Sequence, residues 1–129
     1  MNQPAPIPPP LKAAVGNITT GTNALAASNT GNKNLAAGVN IPANLTNVVA
    51  NNKKAANAFN AGAKNIVKTL NTTNLNLNTK FKNSLVSAQK HFTTAAINAS
   101  ANQPIKAANH ARRGIAALKN YIGANMSNA

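Results

Sequence analysis

The chain has 129 residues, of which 13 are Lys or Arg and none is Asp or Glu, giving a formal net charge of +13. An ordinary chain of this length carries roughly 15 carboxylates, so this one has no internal partner for its cations and must find its anions elsewhere. The same composition excludes most catalytic chemistry. Hydrolytic, metal-dependent and proton-transfer sites lean on carboxylates, and the absence of Cys removes thiolate nucleophiles, disulfides and the usual zinc clusters.

Only His91 and His110 remain as acid/base groups near neutral pH. Each falls in a stretch of helical pattern beside basic residues, Lys90 for the first and Arg112 and Arg113 for the second, and both read as solvated surface. A metal held by two His would also lack the carboxylate that normally orients such a ligand. The expectation is a non-enzyme with no cofactor, no metal and no small-molecule substrate. Hydrophobic residues reach 43 %, but Ala dominates them and aromatics are only 3 %. At about 25 cal/mol per Å² a buried methyl contributes far less than a buried Leu or Phe, so the core is expected to be thin. Asn and Ala each make up roughly a fifth of the chain. An Asn-rich surface offers neutral donors and acceptors without repelling an anionic partner.

In chain order, residues 1–10 form a proline-rich arm in which Pro4, Pro6, Pro8, Pro9 and Pro10 favour an extended polyproline II path. Such an arm suits docking into a neighbour's groove. The stretch MNQPAPIPPPLK has no apolar h-region and no run of 18 or more apolar residues occurs, so neither a signal peptide nor a transmembrane segment is expected. From residue 11 to 41 the signals conflict. Leu11, Val15, Ile18 and Leu25 have helical spacing, whereas Gly16, Gly21, Gly31 and Gly38 weaken a continuous helix, which predicts short helical pieces joined by irregular turns.

The region from 42 to 129 reads as a helical domain. A helix over about 43–70 opens with Pro42 in its first turn and carries Leu45, Val48, Ala55, Phe59, Ile66 and Leu70 as an apolar stripe, with Lys53, Lys54, Lys64 and Lys68 off it. The linker from Asn71 to Asn78 alternates Leu75 and Leu77 with Asn, as in a short strand or an extended connector. A helix over 79–100 follows, with Phe81, Leu85, Ala88, Phe92, Ala95 and Ala99 on one face and Lys80, Lys82 and Lys90 outside it. The last helix, over 104–122, starts at Pro104 and has Ile105, Ala108, Ile115, Leu118 and Ile122 as its stripe. Gly123 suits its cap, and Lys106, His110 and Arg113 lie on another face.

Five Asn-x-Ser/Thr sequons, at Asn17, Asn44, Asn71, Asn98 and Asn125, are each 27 residues from the last, although the flanking residues do not align at that period. The predicted class is all-α: a small bundle or hairpin of about three amphipathic helices, with an extended N-terminal arm and an irregular 11–40 region. Phe59, Phe81, Phe92 and Tyr121 read as core anchors rather than base-stacking platforms, because the first three sit on apolar stripes.

The candidate contacts to a polyanion or acidic partner are Lys53, Lys54, Lys64, Lys68, Lys80, Lys82, Lys90, Lys106, Arg112, Arg113 and Lys119. Helix faces ordinarily mix both signs and gain from opposite-charge pairs three or four residues apart; these have no such pairs. Nucleic acid is one matching anion, bound without sequence specificity, since no recognition motif is present. Only 10 % of the chain is charged, however, and the cations are scattered rather than in the dense blocks of a condensing tail. An anionic lipid surface is a further possibility for the Pro42 to Leu70 helix. The reading that absorbs most of these features is a structural protein of a large assembly, within a virion or an intracellular complex, that bridges acidic subunits. In overall composition the chain resembles small basic minor capsid and core proteins of large double-stranded DNA viruses; that resemblance rests on no motif and assigns no residue.

Overall fold

The computed structural model describes residues 8–72 and 79–127, the side chains of Lys80 and of residues 120–127 excepted. Four helices follow one another along the chain: α1 (Pro9–Ala36), α2 (Ile41–Leu70), α3 (Thr79–Ser100) and α4 (Pro104–Ser127). Packing is close between α1 and α2, α2 and α3, and α3 and α4, and sparse between α1 and α4. The all-α prediction holds, as an antiparallel bundle with one more helix than the sequence suggested.

On every helix the buried positions follow steps of three and four residues. The main seam runs through Leu11, Ala14, Ile18, Gly21, Leu25, Ser28 and Gly31 on α1, with Ala24 beside it, and through Val48, Asn52, Ala55, Phe59, Gly62, Ile66 and Thr69 on α2, with Ala56, Ala58 and Ala63 beside it. Leu85, Ala88, Phe92, Ala95 and Ala99 continue the pattern on α3, and Ala107, Ala111, Gly114 and Leu118 on α4. This is heptad spacing, the pattern that keeps one seam of each helix facing its neighbours in a bundle. At mid-height Phe59 and Phe92 stack across the α2–α3 interface, with ring centroids 6.0 Å apart and planes 12° from parallel. Each ring lies against a glycine of an outer helix. A Cβ on Gly21 would be 2.7 Å from the Phe59 ring, and one on Gly114 would be 2.7 Å from the Phe92 ring. One residue from each helix thus forms a single layer, Gly21, Phe59, Phe92, Gly114.

That layer explains where the structure departs from the sequence reading. The irregular pieces expected over 11–41 are instead one helix, α1. Gly costs about 1 kcal/mol relative to Ala inside a helix, but Gly21 receives Phe59 and Gly31 receives Val48, whose Cγ2 would lie 2.6 Å from an added Cβ. Packing therefore offsets the propensity loss. Pro9 and Pro10 belong to the first turn of α1 rather than to an extended arm, since first-turn positions need no N–H, and the Pro8 carbonyl accepts from the amides of Leu11 and Lys12. Pro8 keeps the extended conformation (φ −56°, ψ 142°), while residues 1–7, Pro4 and Pro6 included, and linker residues 73–78 lie outside the described residues.

On α4 the expected Leu118 is buried and Ala108 and Ile115 pack partly against the core, but Ala107, Ala111 and Gly114 also face inward and Ile105 is 70 % exposed. Bulk suggested the isoleucines, yet the Phe92 ring requires a residue without a side chain at 114. Gly123 does not end α4, which runs on to Ser127. Leu45 and Val15 also leave their expected stripes and are exposed. The sequons fall mid-helix in α1 (Asn17), in the first turn of α2 (Asn44), at its end (Asn71) and near the end of α3 (Asn98), so the 27-residue period marks no repeated helical unit.

Both hairpin turns use the same device. After α1, Gly38 (φ 71°) takes the left-handed conformation while its amide bonds to Leu35 O and that of Val39 to Asn34 O. After α3, Asn102 (φ 60°) does the same, with its amide on Ala99 O and that of Gln103 on Asn98 O. These are Schellman caps, with Gly or Asn where a left-handed residue is required.

Candidate partner surface

Ordinary bundles tie adjacent helices together with Glu–Lys pairs; here neutral amides and a hydroxyl do so. Asn65 donates to Asn17 Oδ1 (2.9 Å) between α2 and α1, and Asn34 donates to Asn44 Oδ1 (3.3 Å) beside the first turn. The fully buried Ser28 hydroxyl donates to Asn52 Oδ1 (2.5 Å), and Asn52 Nδ2 donates to Asn102 Oδ1 (3.2 Å) in the second turn. Asn52, 1 % exposed, thereby joins α1, α2 and the α3–α4 turn. Among the described residues no buried side-chain nitrogen or oxygen lacks a partner.

With amides meeting these internal needs, every cation whose side chain is described is left outside. Lys53, Lys54, Lys64, Lys68, Lys82, Lys90, Lys106, Arg112, Arg113 and Lys119 are exposed, as are Lys12 and Lys33, which the sequence reading passed over. The Lys80 side chain lies outside the description. The cations are spread over all four helices, and Lys64, Lys68, Lys90, Arg112 and Lys119 edge separate clefts of the bundle. Lys64 and Lys68 edge a cleft between α2 and α3 that also contains Gln89 and Thr93. Arg112 and Lys119 edge the cleft between α1 and α4. Lys53 and Lys54 follow Asn52 directly on α2 and join none of these clefts.

The third group was not foreseen. His91 on α3 and His110 on α4 face one another with Nδ1 atoms 3.4 Å apart and ring centroids 5.7 Å apart. Burial holds the His91 pKa below the ordinary imidazole value of 6.5, and the positive charges of His110 and Arg113 lower it further. The clue in the sequence was position rather than composition, because 91 and 110 are almost equidistant from the turn that begins at Ala101. Among the described residues there is no group of three or more potential metal-ligating side chains.

The ends of the bundle differ. Because Asn52 bonds to Asn102, the α3–α4 turn lies level with Asn52, and the stretch of α2 before it projects about 15 Å farther at 1.5 Å per residue. That overhang exposes Ile41, Leu45 and Val49 at four-residue steps (53, 53 and 49 % exposed), with Val39 beside them. Ile97 and Ile105, on either side of the second turn, are exposed below it. Elsewhere the long apolar stripe of α2, the feature that suggested a lipid surface, is turned into the core. No described helix is long and apolar enough to cross a membrane. Compared with protein-family models, curated proteins and solved structures, the chain matches none.

Proposed function

We propose that this protein is a non-enzymatic structural component of a large assembly, most simply a small basic minor component of a virus particle, that bridges acidic subunits or a polyanion. The observation that supports this most directly is the pairing of an exposed apolar overhang with flanks that carry only positive charge. A free-standing bundle gains nothing from exposing Ile41, Leu45 and Val49 together, and contiguous apolar patches of this kind mark contact surfaces. Cations without internal partners favour and steer encounter with acidic surfaces. The distribution of the cations over several grooves suits contact on several sides better than the tracking of a single phosphate backbone.

The test is binding of the purified chain to random duplex DNA across a salt series, with polyglutamate as competitor. On this proposal the log-log salt slope is shallow and polyglutamate displaces the DNA readily. A slope of about −6 or steeper, with poor competition, would mean that several phosphates are neutralised together and would make nucleic-acid packaging the function instead.

A further inference from the structure

Three sides of the bundle are closed by packing and the fourth is open. Between α1 and α4 run two adjoining clefts of about 200 Å³ each, which share Thr22 and Ile115. Together they extend along α1 from Val15 to Asn29, a length of about 21 Å or four helical turns. Ile18, Leu25, Ile115 and Leu118 supply an apolar floor, and Val15 stands 40 % exposed at the edge. The rim is asymmetric. The α1 edge is neutral, with Thr19 and Asn29, while the α4 edge carries Arg112 and Lys119, seven residues or about 10.5 Å apart.

We propose that this seam is a docking groove for one amphipathic helix of an acidic partner protein. The groove has the length and apolar floor of a helix-in-groove site. Its cations are two turns apart on one side, so they match carboxylates at heptad spacing along one edge of the incoming helix. A second copy of the chain does not fit: each copy carries +13 and has no side-chain carboxylate to offer Arg112 or Lys119. The inference rests on the partner being acidic, as proposed above, but it specifies a different surface from the overhang and a different recognition from general charge attraction.

The experiment uses the full chain and a synthetic 21-residue helix with a Leu stripe and Glu at heptad spacing on one flank. Two controls accompany it, one with Lys replacing Glu and one of the same composition scrambled. Backbone amide NMR shifts are expected to concentrate at Val15, Thr22, Ile115 and Leu118. Charge reversal by Arg112→Glu with Lys119→Glu, both at exposed positions, should weaken the Glu peptide about tenfold, as expected for two rim pairs. It should also let the Lys peptide bind. Equal binding of the scrambled peptide, or shifts spread over Lys64, Lys68 and Lys90, would overturn the proposal. So would self-association of the chain that shifts the same resonances, or occupation of the groove by palmitate and not by the peptide. Leu45→Lys on the overhang should leave peptide binding unchanged, and loss of binding in that variant would place the peptide on the overhang instead. Because polyglutamate has no apolar face, its result bears on the assembly proposal and leaves the groove untouched.

Discussion

The two hairpins meet across the Phe59–Phe92 stack but are fastened by different chemistry. The α1–α2 hairpin is tied by Asn17–Asn65, Ser28–Asn52 and Asn34–Asn44, none of which titrates. The α3–α4 hairpin is joined instead by the His91–His110 contact, where burial and neighbouring positive charge hold the His91 pKa below 6.5. A chain without carboxylates can join helices only through neutral polar groups, apolar packing or groups that share one sign of charge. The first hairpin uses amides that carry no charge, while the second includes an imidazole, His91, whose protonated form is disfavoured by burial and by the positive charges beside it.

The sharpest way to break this comparison is at the point where the hairpins are alike. Phe59→Ala and Phe92→Ala should each cost about 3–5 kcal/mol, because each leaves a cavity over a glycine that cannot fill it. Urea melts that differed widely between the two variants would show that the central layer is not shared equally. Next in size, Asn52→Ala should cost about 2 kcal/mol by leaving the Ser28 hydroxyl and the Asn102 carbonyl without their partner. Its loss should also speed amide exchange in the α3–α4 turn, and unchanged exchange there would mean that Asn52 fastens only the first hairpin.

Substitutions of the glycines separate packing from propensity. Gly16→Ala should stabilise by about 1 kcal/mol, since nothing lies within 4 Å of the added methyl. Gly114→Ala should destabilise despite the same gain in propensity, because the Phe92 ring must move; thermal melts of opposite sign are the expected result.

The smallest effect is on pH dependence. The folded-state pKa of His91 lies below that of the unfolded chain, so below about 6.5 the unfolded state binds more protons than the folded one. Stability should be constant above that range and fall as pH drops through 6.5 toward the depressed value. Amide exchange should quicken in α3 and α4 before α1 and α2. His91→Gln should flatten the profile; an unaltered profile would remove the His pair from this role.

Much of the fold could be read from the residues. The bounds of α3, the proline start of α4 and the α3 face from Leu85 to Ala99 emerged from spacing alone, because large apolar residues or Pro marked them. The reading failed where glycine was inward. Gly21 and Gly31 look like helix breakers until Phe59 and Val48, distant in sequence, are known to lie on them. In α4, the reading took Ile105 as inward and passed over Ala107, Ala111 and Gly114, since a pattern based on hydrophobicity cannot register a requirement for lack of bulk. The exposure of the cations was legible from composition; their division among grooves was not, because it depends on which helices are neighbours. The seam itself was invisible, as it consists of a contact that is sparse.

The overhang of the first hairpin has a consequence for labelling. Both turns lie toward one pole of the molecule, whereas α1 starts and α4 ends at the other. A fluorophore on Lys12, exposed in the first turn of α1, would therefore sit at the opposite pole from Ile41 and Leu45, so it should report on docking of the overhang without obstructing it.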